Sequence, residues 1–208
     1  MPVTPMMQQY LNIKEQYPGP ILFYRLGDCY EMFFEDAKLV SRELELTLTG
    51  KDCGLSERAP MCGVPYHAVE TYLQRLIEKG YKVARCEQMT DPATSKGLVE
   101  REVIRVVTPG TVIESNMLED RKANYIAALC LQKNRAGFAF CDVSTGEFSL
   151  CQIQDIRSNL SDELARLAPS EVIVNDLQAF AELEPERAQK AECLDAEQFT
   201  YGDRKSVV

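Results

Sequence analysis

Three groups of residues in this 208-residue chain have types and spacings suited to chemistry. The first is Asp28-Cys29-Tyr30-Glu31, within "FYRLGDCYEMFFEDA". An Asp with a Glu three residues later is the spacing of a capping box: Asp28 would accept an amide of the first turn and Glu31 would reach back to a free N–H. Such a helix start also offers free amides and positive potential to a nucleic-acid backbone. The second group is Asp142 and Glu147 in "FAFCDVSTGEF". In a ribonuclease-H-like nuclease, acids so placed would hold magnesium. No second well-placed buried acid appears, Asp176 being the only candidate nearby, so the preferred reading is two solvated acids flanking a turn. The third group is Gly50-Lys51 in "TLTGKD", half of a phosphate-binding loop. Glu45 stands where the upstream glycine belongs, and no Ser or Thr follows the lysine. The G-x-x-x-x-G-K-[ST] pattern is missing, which argues against ATP hydrolysis by that route. Cys29, Cys62 and His67 lie in no nucleophile motif. With one histidine and no Cys-x-x-Cys pair, the ligand spacings of zinc are missing too.

Composition narrows the function classes. A chain with 45% hydrophobic and 26% charged residues is of ordinary globular type, long enough for two modest domains. No apolar run reaches the ~20 residues of a membrane span. Met1-Pro2-Val3-Thr4-Pro5 lacks a basic-then-apolar leader, so a cytoplasmic location is expected. The eight cysteines then read as reduced, buried thiols. Net charge is −9. Residues 1–115 hold 13 Lys and Arg against 16 Asp and Glu, and residues 116–208 hold 10 against 16. Neither half is a basic module, so any contact with phosphates must be local.

Periodicity gives the elements that must position these groups. Thr4 and Pro5 open a helix that runs to about Gln16, and Pro18-Gly19-Pro20 stops it. Ile21 to Leu26 reads as a buried strand. From Tyr30, the residues Phe33, Ala37, Val40 and Leu44 recur at helical spacing, which predicts a helix to about Glu45. Leu46 to Thr49 reads as a short strand and Gly50 to Ala59 as a polar loop. Val69, Tyr72, Leu73, Leu76 and Ile77 give the cleanest helix, with Gly80 at its C-terminal end. Lys82 to Met89 and Glu102 to Val107 are strands around the loop Thr90 to Gly97. A polar stretch follows. Tyr125 to Leu131 is then a strand, Gly137 to Asp142 and Glu147 to Ile153 a hairpin, Leu160, Leu164 and Leu167 one face of a helix, and Glu171 to Asn175 a strand. The chain ends at Val208 without a closing element, and the expectation is an incomplete second domain.

Several runs together resemble the bacterial MutS family of mismatch-recognition proteins. They are "FYRLGDCYEMFFEDA", "LTLTGKD", "APMCGVPYHAVETYLQRLIEKGYKVARCEQMTDPATSKGLVEREVIRVVTPGT" and "EDRKANYIAAL", covering most of residues 4–150. Gly63-Val64-Pro65-Tyr66-His67-Ala68-Val69 and Cys86-Glu87-Gln88 are the most specific. The resemblance implies a mixed-sheet α/β mismatch-binding domain over residues 1–115. A linker at 116–122 and a ribonuclease-H-like α/β connector domain over 123–208 would follow. The family places a Phe-x-Glu motif after Gly-Asp: the ring wedges into the duplex beside a mispaired base and the Glu hydrogen-bonds that base. By position, Glu31 matches the glutamate, whereas Cys29 stands where the phenylalanine belongs. A thiol does not replace an aromatic stack worth roughly 1–3 kcal/mol.

The resemblance further implies that a turn at Cys29-Tyr30-Glu31 enters mispaired or looped duplex DNA. Lys51, Lys96 and Arg101 would contact its backbone. No catalytic group, metal or cofactor is expected within these residues. ATP, magnesium and homodimerisation would belong to further domains, and a MutL-type mismatch repair protein would dock on the connector. Two other readings stand beside this one: a magnesium-dependent nuclease using Asp142 and Glu147, and a docking module that no longer probes DNA.

Overall fold

The computed structural model describes residues 3–90, 97–112 and 123–199. The chain divides into two compact units, Met1–Pro109 and Gly110–Val208. Each is a mixed α/β unit built on one sheet, the fold class expected from the sequence.

In the first unit, helix α1 (Pro5–Gln16) begins as the sequence predicts, with Thr4 accepting the Met7 amide and Pro5 in the first turn. Strands β1 (Ile21–Leu26), β2 (Cys29–Phe33), β3 (Thr49–Lys51), β4 (Ala59–Pro65), β5 (Val83–Gln88) and β6 (Arg101–Val107) form one sheet in the order β3-β4-β2-β1-β5-β6. Alternation along the strands gives the sheet two apolar faces. On one, Met7, Tyr10 and Ile13 of α1 pack on Leu22, Tyr24, Phe33, Ala84 and Cys86. The Tyr10 ring meets Tyr24 and Phe33 edge-on, with centroids 5.4 and 4.9 Å away. Helices α2 (Phe34–Leu44) and α3 (Val69–Glu78) pack against the other face, where Cys62 Sγ donates to the Ala37 carbonyl. Helix α3 buries Val69, Leu73, Leu76 and Ile77, worth roughly 1.5–3 kcal/mol each. Gly80, at φ +88°, ends it as expected.

The opening motif departs from the helix expected there. Cys29-Tyr30-Glu31 is neither a helix start nor a turn but lies in β2, antiparallel to β1. Helix α2 starts only at Phe34 and has no side-chain cap, so Asp28 and Glu31 form no capping box. The physical reason is the Gly27-Asp28 pair. Two residues between Leu26 and Cys29 close a hairpin; pairing with β1 holds Cys29 to Glu31, and pairing with β4 holds Cys29 to Phe33, as strand. The sequence also misplaces β3, which occupies Thr49–Lys51 rather than Leu46 to Thr49. It omits β4, whose flanking prolines and Gly63 disguise it.

The second unit has β7 (Tyr125–Gln132), β8 (Arg135–Asp142), β9 (Glu147–Gln154), β10 (Glu171–Val174) and β11 (Glu192–Cys193) in the order β11-β10-β7-β8-β9. β8 runs antiparallel to both neighbours, and β7, β10 and β11 are parallel, which fits the ribonuclease-H-like expectation. Helix α4 (Ile156–Leu167) sets Leu160, Leu164 and Leu167 against Leu129, Phe138 and Ile153. Two short helices, α5 (Leu177–Leu183) and α6 (Pro185–Ala188), follow β10 and seal the same core through Phe180. No helix among the described residues is long and apolar enough to cross a membrane.

Candidate nucleic-acid interface

The β1–β2 hairpin carries the two residues singled out for base contact. Gly27 has φ +58° and Asp28 a negative φ, the signs of a type II′ turn, whose first central position favours glycine. Both turn residues are exposed. Beyond the turn the side chains alternate. Cys29 and Glu31 share one face, half-buried, while Tyr30 and Met32 point to the other and are fully buried.

Neighbouring strands frame that first face. In register, Glu31 lies between Tyr24 of β1 and Gly63 of β4, and Cys29 between Leu26 and Pro65. Gly63 is exposed, and a Cβ there would sit 3.2 Å from the Tyr30 carbonyl oxygen and 3.6 Å from Glu31 Cγ. The tight contact is with the backbone oxygen, so glycine here lets β4 lie close to β2 beside Glu31. Lys51 reaches across from the edge strand β3 and pairs with Glu31 Oε2 at 2.5 Å. The structure thus joins two predicted site residues that lie twenty positions apart. A partly exposed pair of this kind adds little stability. Its local effect is to neutralise Glu31, and an unpaired carboxylate would repel a phosphate backbone.

Arg101 lies on the same face but works inside the protein. Its Nε donates to the Arg25 carbonyl at 2.7 Å, and Nη1 donates to Gln9 Oε1 at 3.0 Å and to the Val99 carbonyl at 2.9 Å. The guanidinium stands 4.9 Å from the Tyr24 ring centroid. Burial pushes the Tyr24 phenol up to about 12, against the opposing Arg101 charge, so it stays a donor, to Gln9 Oε1. Lys96 lies outside the described residues.

The other groups considered from the sequence have structural partners. Asp142 is buried, accepting from the Ser144 amide at 2.9 Å, Ser144 Oγ at 2.6 Å and the Asn124 amide at 3.3 Å. The Ser144 hydrogen bonds hold its carboxyl below the ordinary value despite burial. Glu147 accepts from Tyr125 Oη, and Asp176 caps α5 through the Ala179 amide. Among the described residues no three His, Cys, Asp or Glu side chains cluster to hold a metal ion. Burial raises the Cys62 and Cys86 thiols to about 11 and about 12, so both are neutral packing groups.

Comparison with known proteins gives matches to both units. The family description MutS domain I matches residues 4–116, and MutS domain II matches residues 124–205. The chain belongs to the MutS family. A DNA mismatch repair protein MutS from Ruminiclostridium cellulolyticum is 53% identical over 213 residues, covering 99% of this chain and 24% of that protein. MutS proteins from Acetivibrio thermocellus and Alkaliphilus oremlandii are 60% and 54% identical, over 83% and 82% of the chain and 20% of each relative. The chain therefore spans about a fifth to a quarter of the length of these MutS relatives.

Sequence reasoning missed Gly63, which lies beside Glu31 in register. It sits in a segment that most resembles MutS, and Gly27-Asp28 between two apolar runs is a hairpin signal. Reading that signal would have placed Cys29 and Glu31 on one strand face.

Proposed function

We propose that residues 1–115 form a mismatch-probing domain that meets mispaired or looped duplex DNA with the β1–β2 hairpin. The observation that carries this reading is the placement of Cys29 and Glu31 on one face behind an exposed two-residue turn, with Lys51 neutralising the carboxylate. Unstacking a base step costs a few kcal/mol and costs least where pairing is already broken, so insertion selects mismatches. In this reading Glu31 hydrogen-bonds the displaced base. Lys51 moves between Glu31 and a phosphate, a positioning rather than a base-reading contact. Lys96 and Arg101 are proposed backbone contacts, Arg101 while also bracing α1 and β1. Cys29 supplies no aromatic stack, and the chain is acidic throughout.

The 208-residue chain is therefore expected to bind short duplexes weakly, with little preference for a mismatch. Cys29→Phe tests the site in this same chain by fluorescence anisotropy at low and physiological salt. A restored stack of roughly 1–3 kcal/mol corresponds to a rise of about fivefold to a hundredfold in the ratio of mismatched to paired affinity. An unchanged ratio would mean that position 29 does not enter the duplex. Submicromolar, mismatch-selective binding by the parent chain at physiological salt would refute the charge argument.

Residues 116–122 and 123–208 are read as a linker and a connector domain that relays the bound state. A MutL-type protein is its proposed partner, suited to an acidic surface with Phe148 and Leu150 exposed on β9. Pull-down with that protein, with and without DNA, tests the assignment. ATP and magnesium binding and homodimerisation are proposed to reside in domains beyond residues 1–208, by likeness to the longer relatives.

A further inference from the structure

The parallel ladder between β1 and β5 stops short of the hairpin tip. It pairs Ile21 to Tyr24 with Val83 to Cys86, and Arg25 and Leu26 have no backbone partner on that side. Side chains from the last residues of β5 take over at this point. Gln88 Oε1 accepts the Gly27 amide at 3.0 Å, at the turn itself. Glu87 Oε1 accepts the Tyr30 hydroxyl, and Glu87 Oε2 lies 3.7 Å from Arg25 Nη1. One β5 dipeptide therefore holds both strands of the hairpin and its turn.

The hold extends into the α3 side of the sheet. Arg85 Nε donates to Tyr30 Oη at 3.0 Å and to Glu87 at 3.3 Å, while Nη1 donates to Glu70 of α3 at 2.9 Å. The Arg25 guanidinium lies 3.4 Å over the Tyr66 ring, which stacks on Tyr30 with centroids 5.9 Å apart. The Tyr66 amide donates to the Asp28 carbonyl at 2.8 Å, tying the turn from the β4 side. Burial, then the hydrogen bond to Glu87, pushes the Tyr30 phenol well above its ordinary value, so it remains a donor.

An apolar cluster in this place would hold the domain together at least as well, because buried charges carry a desolvation cost. What a directional polar network adds, even with Glu70 Oε2 left without a hydrogen-bond partner, is one defined geometry. That matters where a hairpin must work against base stacking: a tip free to tilt would yield before the bases do. We infer that Glu87 and Gln88 are positioning residues for the DNA-facing hairpin, continuing by side chain the ladder that β5 ceases to make at Tyr24, and so fixing where Cys29 and Glu31 stand. The inference rests on the proposed probing function, and Tyr30 is its link: the residue between Cys29 and Glu31 is the one Glu87 holds.

The test uses the 208-residue chain with Gln88→Ala, Glu87→Gln, Tyr30→Phe and the rescue variant Gln88→Glu, which keeps an acceptor for Gly27. Thermal melting first confirms folding of each. Amide hydrogen exchange should then accelerate at least tenfold at Cys29, Glu31 and Tyr66 in Gln88→Ala and Tyr30→Phe. Leu22 and Phe23 should keep the parent rates, and Gln88→Glu should restore protection. In the Cys29→Phe background, where the ratio of mismatched to paired affinity is expected to be raised, each variant except the rescue should lower it about threefold or more, measured beside Glu31→Ala in the same background. Parent-like exchange at Cys29, Glu31 and Tyr66 in both variants overturns the inference. So does faster exchange with an unchanged ratio, provided that Glu31→Ala lowers it. If Glu31→Ala leaves the ratio unchanged, the probing function itself fails, and exchange alone decides the bracing role.

Discussion

Two hairpins in this chain, one in each unit, are held in opposite ways. The β1–β2 turn is tied from outside: Gln88, Tyr66 and Glu87 come from other elements to grip it. The β8–β9 turn is tied chiefly from within, by Asp142 bonding Ser144 two residues on, while Asn124 and Tyr125 from the start of β7 reach only Asp142 and Glu147 at its base. The first exposes only its turn and sets Cys29 and Glu31 in a framed face. The second ends in an edge strand on which only Ile153 is buried. External ties fix where a hairpin points relative to its domain, whereas internal ties fix only its shape. The first design suits a rigid probe, the second a surface that a partner covers.

The largest effect expected from this contrast is at Asp142. Asp142→Ala strands the Ser144 and Asn124 amides without their acceptor, costing about 1–3 kcal/mol in urea unfolding. The carboxyl is depressed in the folded state, so its contribution is complete above the ordinary carboxylate value near 3.8. It is lost as pH falls through the lower folded value. The parent should therefore lose its advantage over Asp142→Ala only in strong acid. A gap that closes near neutral pH would mean the lock is not ionic.

An intermediate effect separates the two kinds of tie. Gly27 and Gly146 both sit at positive φ, +58° and +76°, and a Cβ added at either would meet nothing within 4 Å, so alanine faces backbone strain alone. Each substitution should cost about 1 kcal/mol. Gly27→Ala should in addition speed amide exchange at Tyr66, because that amide bonds the displaced turn, while Gly146→Ala should act only within its own hairpin. Equal, purely local effects at both would erase the distinction.

The same contrast explains what could be read in advance. Where one period dominates, as in α3 with Leu73, Leu76 and Ile77 or in β8 with Phe138 and Phe140, sequence and structure agree. At residues 28–34 two periods overlap. Phe33, Ala37, Val40 and Leu44 keep helical spacing, but Phe33 is the last strand residue and only the later three are buried helix positions. Asp28 and Glu31 have the spacing of a cap, yet the Glu31 carboxylate goes to Lys51. That partner is set by pairing of β2 with β4 and of β4 with β3, which no local window contains. Arg101 illustrates the converse: a loop-edge cation in sequence, it is held by α1, β1 and the loop carbonyl of Val99 in the fold.

The smallest expected effect lies on β9, where Leu150 is 71% and Phe148 66% exposed. Solvent already wets these side chains, so folding transfers little of their apolar area, and Leu150→Gln should change stability by no more than about 0.5 kcal/mol. The same substitution should weaken capture of the MutL-type partner if that partner covers the strand. An unfolding cost above about 1 kcal/mol would instead mean that β9 is buried within the 208-residue chain in solution. The second hairpin would then be braced from outside as the first is, and the contrast between a held probe and an open edge would fail at its weaker end.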